Sequence, residues 1–321
     1  MRVLFLIQTF KNLPQIRRLV HTLKASLPQA AIVISHNPER FTIAPTSFSH
    51  LENVYVVHAK KVNRVDFSLV RAYIAAIQNV IAQGVDFDWV VNITGQCYPT
   101  RPLGELEHVL ATTAYHGFME HFAVFTPSPH NLWNQEEAHN RYHYQYHWRI
   151  MTEELPPLVR KAVSIPRRII NRVQPFVRID TSYALQMGTR LPKDAIPADF
   201  TIHGGQYHKI LSRCAVDYLI DFTTRYPALT RRFELMNMPE EVFPQSVLLN
   251  NPAFRFDTNF GFFIRWEGTK LGRPHILTTA DYDSIVASDC FFARKFEPER
   301  DAQILDLLDA RVLANAAILN A

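Results

Sequence analysis

The sequence predicts an α/β protein built on an open sheet flanked by helices, and three observations carry that expectation. Short apolar runs recur through the first 120 residues, segments with apolar residues at helical spacing separate them, and the connections are short. Val3 to Ile7 is a continuous apolar run, the pattern of a strand covered on both faces. Asn12 to Leu27 sets Leu13, Ile16, Leu19, Val20 and Leu23 at helical spacing, and Pro28 ends it. Ala31 to Ser35 and Val54 to His58 read as the second and third strands. Phe67 to Ala82 reads as an amphipathic helix through Val70, Tyr73, Ile74, Ile77 and Ile81. Trp89 to Ile93 is a fourth strand, breaking into the loop Thr94 to Pro99, and a helix follows around Leu103 to Ala111. In open sheets ligands sit beyond the carboxyl ends of the strands. That rule points to Ser35-His36-Asn37, to His58 through Arg64, and to Thr94 through Arg101.

Residues 126–198 differ in character, with several prolines, an aromatic and histidine cluster, and a basic stretch from Val159 to Arg178. They read as a partly helical insertion in a single domain spanning residues 1–321. From Phe200 the alternating pattern returns and runs to a helix over Asp301 to Ala314.

Hydrophobic residues make up 47% and charged residues 20% of the chain, which is globular rather than disordered composition. The net charge of +4 favours anionic ligands but is far from a nucleic-acid signature. Three widely spaced cysteines, Cys97, Cys214 and Cys290, form no disulfide framework and suggest a reducing compartment. The first apolar run is far shorter than the ~20 residues of a membrane helix, and it lacks the features of a signal peptide. The expected location is therefore the cytoplasm, with the basic stretch able to rest on an anionic membrane surface. A solvated helix face explains that stretch equally well.

Several segments could carry chemistry. Asn237 to Leu249 looks like a helix start, with Pro239, Glu240 and Glu241 in its first turn. Both glutamates there suit the helix dipole, so a purely structural role competes with a catalytic one. Phe291 to Phe296 sets Arg294 and Lys295 among three phenylalanines. Buried cations need partners, so this points to a held anion such as a diphosphate, or to an ion pair with Glu297 or Glu299. The two Asp-x-Asp tripeptides, Asp86 to Asp88 and Asp281 to Asp283, read as caps or turns rather than metal ligands. His139, His143 and His147 fall on one face of an expected helix. The interleaved Tyr142, Tyr144, Tyr146 and Trp148 favour an aromatic stripe there over zinc binding.

Taken in order, these blocks resemble the core-2/I-branching enzyme family, which comprises β-1,6-N-acetylglucosaminyltransferases, peptide O-xylosyltransferases and their bacterial relatives. The resemblance starts at Leu6 to Asn12 and continues through Val65 to Ala72. Trp89 to Pro99 is similar to the family's W-x-x-x-I-N-L-S-G-x-D-Y-P, and Gly204-Gly205-Gln206-Tyr207 to its G-S-x-W. Pro239 to Asn250, Trp266 and the F-A-R-K-F of Phe292 to Phe296 complete the order. The resemblance implies a GT-A-like, Rossmann-type mixed sheet and inverting transfer from a UDP-sugar without a divalent metal or other cofactor. The acceptor it implies is a glycan or a lipid-linked saccharide, with N-acetylglucosamine or xylose as the transferred group.

By the same resemblance, residues 1–125 form the nucleotide-binding part and residues 199–321 the acceptor and catalytic part. Glu241 is the general base. Lys295, Arg294, Trp89, Asn37 and Arg273 face the nucleotide, and Trp266, Gly205, Gln206 and Tyr207 face the acceptor. The chain departs from the family pattern at Cys97 and Asn37, where the family has aspartates, at Gly205 in place of serine, and at Tyr207 in place of tryptophan. Two rival readings are a silent glycan-binding relative and a transferase using a different nucleotide-sugar. The first predicts no turnover, and the second predicts preference for GDP or CMP over UDP.

Overall fold

A computed structural model describes the chain apart from residues 64, 129–130, 152–156, 182, 260, 267–273 and 315–321. The elements run β1 (Val3–Thr9), α1 (Leu13–Ser26), β2 (Ala31–His36), β3 (Val54–His58), α2 (Ser68–Ala82), β4 (Trp89–Thr94), β5 (Cys97–Pro99), α3 (Leu103–Thr112), β6 (Gly117–Phe118) and β7 (Phe122–Ala123). Next come α4 (Gln135–Tyr142), β8 (Tyr144–Met151), α5 (Pro157–Val173), β9 (Val177–Asp180) and β10 (Ala184–Arg190). The chain closes with β11 (His203–Gly204), β12 (Lys209–Ser212), α6 (Arg213–Arg225), α7 (Pro227–Glu234), α8 (Phe243–Leu249), β13 (Phe256–Asp257), β14 (Phe262–Ile264), α9 (Tyr282–Ala287), β15 (Phe292–Arg294) and α10 (Gln303–Leu313).

The main sheet has the order β13-β6-β12-β4-β1-β2-β3. All its strands run the same way except β12, which is antiparallel to both neighbours. The apolar run in β1 is explained by burial on both faces. Val3, Phe5 and Ile7 enter one core with α1, α3 and α10, while Leu4 and Leu6 enter the other with α2, α6 and α8. This direction pattern collects the carboxyl ends of β1, β2, β4 and β6, together with the start of β12, along one edge. A second, three-stranded sheet, β14-β15-β5, sets Arg294 opposite both Cys97 and Ile264.

Two expectations are corrected here. The segment around residues 126–198 is partly helical, through α4 and α5, but the expected histidine helix stops short: α4 ends at Tyr142, and β8, β10 and β9 form an antiparallel sheet against which α5 lies. The histidine spacing therefore spans a helix, its cap at His143 and a strand, so His147 does not share a helix face with the other two. The strict alternation of Tyr144, Tyr146 and Trp148 carried the strand signal: the two tyrosines are buried and the tryptophan is exposed.

The second correction concerns Glu241. The segment is not one helix but a 3₁₀ turn over Pro239–Glu241, a break at Val242, and then α8. Pro244 has no N–H to offer the carbonyl of Glu240, so the ladder cannot run through and must restart with proline in its first turn.

Candidate active site

Three donors converge on one oxygen at the edge where β1 and β4 end. Lys11 Nζ, Lys295 Nζ and Gln96 Nε2 each lie 2.9 Å from Glu297 Oε1. Burial alone would raise the Glu297 carboxyl, but the hydrogen bonds and charges of Lys11 and Lys295 hold it down at about 2. The loop after β1 brings Lys11 to this point, and the segment after β15 brings Lys295. Phe296 is tied down by its N–H to Gln96 O at 3.0 Å and by Gln15 Nε2 to its own carbonyl, also at 3.0 Å.

One layer further along the edge lies a buried group of polar side chains. Cys97 Sγ sits 3.5 Å from His208 Nε2, and burial lowers the His208 imidazole well below its ordinary value, with the charges of Arg294 and Lys209 acting in the same sense. Lys209 is buried, 4.9 Å from the ring centroid of Tyr207, and donates to the Tyr207 carbonyl. Burial drives its ammonium down to about 7, against the pull of Glu240 and Glu241. Residues 206–209 thus connect the surroundings of Arg294 to those of the glutamates.

Glu241 itself is held from two sides. Its carbonyl accepts from Gly205 N at 3.0 Å, and its Oε2 accepts from Arg141 Nη1 at 2.9 Å, while the same guanidinium pairs with Glu137. Gly205 also explains the missing serine of the family pattern. A Cβ at this position would stand 1.8 Å from the carbonyl oxygen of Glu120, so no side chain fits. Glu120 follows β6 on the same edge. Its carboxyl is pushed up to about 7 by burial and by the charge of Glu241, opposed by a hydrogen bond from Gln206. In the main sheet β4 and β6 are separated only by β12, so the cationic group beyond β1 and β4 and the Glu120–Glu241 pair beyond β6 share one edge.

The shifts of Glu120 and Lys209 have opposite signs in stability. Glu120 has a raised folded pKa, so its contribution is complete below the ordinary value of 4.5 and is lost as pH rises through about 7. Lys209 has a depressed one, so stability is lost as pH falls from 10.5 towards about 7. Glu120→Gln is expected to flatten the fall in melting temperature between pH 5 and 7, and Lys209→Met the rise between pH 7 and 10, both read by differential scanning calorimetry. Unchanged slopes would contradict the assignment.

Of the residues singled out in the sequence, Lys295, Arg294, Gly205, Gln206, Tyr207 and Glu241 are gathered on this edge. Asn37 is there too, buried after β2, but its side chain is engaged with Glu39 and the Val62 carbonyl. Trp266 is 38% exposed, two residues past β14 and on the side of Lys295. Arg273 lies outside the described residues. Trp89 is not brought to the site: it starts β4, ~16 Å of strand from the carboxyl end, and packs in the core beside Phe118. Asp86 and Asp88 bind Arg2 at the opposite edge, and Asp281 caps a turn and pairs with Arg265.

Sequence reasoning missed Lys11, Glu120, Arg141, Lys209 and His208. Lys11 was within reach, since it lies in the loop that follows the first predicted strand. The others are joined to the site only by tertiary folding. A polar cavity of about 200 Å³ opens beside Arg141, which lines it together with Asn134, Asn140, Asp180, Tyr183 and Asn237 among others. A larger one, about 880 Å³, lies against α3 near Ser26 and Phe118 and touches none of the residues gathered here; the chemistry, not the size, selects the edge.

The beta-glucuronosyltransferase GlcAT14B of Arabidopsis thaliana is 24% identical over 305 residues, covering 94% of this chain and 60% of that protein. GlcAT14A of the same plant is 25% identical over 273 residues, covering 83% of this chain and 52% of that protein. The chain thus spans little more than half the length of these relatives. Among solved structures, the nucleoside-diphosphate-sugar pyrophosphorylase from Vibrio cholerae RC9 overlaps loosely, with a TM-score of 0.35 at 8% identity, covering 80% of this chain and 90% of that one. The pattern described as Core-2/I-Branching enzyme matches residues 3–286. With that match over nearly the whole chain, the protein belongs to the core-2/I-branching enzyme family.

Proposed function

We propose that this chain transfers a sugar from a UDP-sugar to a hydroxyl of a glycan or lipid-linked saccharide, with inversion and without a divalent metal. The observation that carries the reading is the pairing of a converging cationic group, Lys11 and Lys295, with the carboxylate of Glu241 on the same sheet edge. Glu241 takes the proton of the acceptor hydroxyl as its oxygen attacks the anomeric carbon. The bond from that carbon to the β-phosphate oxygen breaks, and the electron pair leaves with UDP. Lys295, Lys11 and Arg294 face the charge that develops on the diphosphate, the task a metal ion performs in other sites. The protein cations at this position support a metal-free mechanism.

The acceptor side is the Glu241–Arg141 end. Gly205, Gln206 and Tyr207 border it, and the amides and carboxylates of the small cavity suit sugar hydroxyls. Family resemblance supplies N-acetylglucosaminyl and xylosyl groups, and the names of the plant relatives add glucuronosyl. The test is UDP release from the three corresponding UDP-sugars in the presence of a chelator, with and without saccharide acceptors. Acceptor-stimulated release from one of them is expected. Strict dependence on manganese, or preferential binding of GDP or CMP over UDP by calorimetry, would overturn the proposal.

A further inference from the structure

α5 is attached to the protein by the wrong face for an ordinary soluble helix. Its polar side holds the body of the protein: Asn171 Nδ2 donates to the Ile179 carbonyl at 2.8 Å, and Asn171 Oδ1 accepts from Ile179 N at 2.9 Å. Arg178 Nη1 reaches back to the Asn171 carbonyl at 3.2 Å. The apolar side looks outward. Leu158, Ile165, Ile169 and Val173, spaced to fall on one helical stripe, and Phe176 just beyond it are between 56% and 81% exposed. A surface helix normally turns such a stripe towards the core, and a contiguous exposed stripe on a water-facing surface marks an interaction site.

The charge on the helix indicates what covers the stripe. Between residues 157 and 173 there are five basic residues, Arg160, Lys161, Arg167, Arg168 and Arg172, and no acidic one. Arg168 and Arg172 are exposed along the border of the stripe. Outward apolar side chains rimmed by cations, with no carboxylate between them, match a bilayer surface bearing anionic headgroups.

We propose that α5 docks this protein on an anionic membrane surface, lying in the interface with Leu158, Ile165, Ile169, Val173 and Phe176 towards the acyl chains and the arginines among the headgroups. The orientation places the insertion sheet and the rest of the chain on the water side. This docking does not depend on the transfer reaction, so the two readings stand or fall separately.

The test uses the full chain and sedimentation with vesicles. Binding is expected to vesicles of phosphatidylcholine mixed with phosphatidylglycerol at about 0.1 M salt, with much weaker binding to phosphatidylcholine alone. Raising the salt should weaken it. The double substitution Ile169→Ser with Val173→Ser is expected to lower the partition coefficient roughly tenfold or more, and Arg168→Glu with Arg172→Glu to do the same. Both pairs are exposed, so melting temperature and turnover of a soluble acceptor should stay unchanged. The proposal is overturned if the wild-type chain ignores anionic vesicles. It is equally overturned if the serine variant binds as well as wild type, or if the stripe proves to join two copies of the chain, seen as a dimer that the serine substitutions dissociate.

Discussion

Glu241→Gln is expected to reduce kcat by ~10²–10⁴-fold while leaving UDP affinity intact, because removing a general base costs that much when the nucleophile is a neutral hydroxyl. The substitution keeps the shape and the backbone contact to Gly205, which involves the carbonyl and not the side chain. Arg141 retains Glu137 as a partner, so no cation is left buried alone. Steady-state kinetics separate the two outcomes. A loss confined to kcat, with unchanged melting temperature, identifies the carboxylate as the proton acceptor. A rise in the donor KM with kcat preserved would instead place Glu241 on the binding side and remove it from the chemistry.

Lys295→Ala should be the second large effect, ~10²–10³-fold in kcat, the scale for losing one preorganised electrostatic partner of a developing charge. The leaving diphosphate gains charge only in the transition state, so kcat falls more than donor affinity. Lys11 donates to the same carboxylate oxygen, and the double variant Lys11→Ala with Lys295→Ala should therefore cost less than the product of the single effects. Lys295→Arg should restore little, because a planar fork does not present its charge at the position of an ammonium. Pre-steady-state release of UDP is the measurement. An unchanged burst in Lys295→Ala would show that the lysine serves only Glu297.

The α/β core was legible because burial on both faces leaves a plain mark: β1 reads as an unbroken apolar run and β4 as one interrupted only by Asn92, and α1 and α2 read as helical stripes. The strands of the insertion were not, since its aromatic residues satisfy a helical period and a strand alternation at the same time. Only the pairing of β8 with β10 decides between them. The local chemistry of Lys295 and Glu241 stood out as charge set against apolar or helix-start patterns. Glu120 and Lys209 could not stand out, because a carboxyl raised by burial and an amine lowered by it acquire those properties from neighbours distant in the chain, such as Glu241 for Glu120 and Tyr73 against Lys209. Cys97 and Gly205 were visible as departures from a pattern, but the reason for the glycine, the Glu120 carbonyl against its Cα, is a fact of three dimensions.

The resting protein already offers its two lysines an anion of its own. On the proposed reading, a nucleotide entering this edge does not find bare charge. It competes with a tethered carboxylate at high effective concentration, so its affinity measures the advantage of a diphosphate over Glu297 rather than the full attraction of the lysines. The same exchange favours turnover: once the sugar has left, the side chain stands ready to reclaim its partners and help expel the spent UDP.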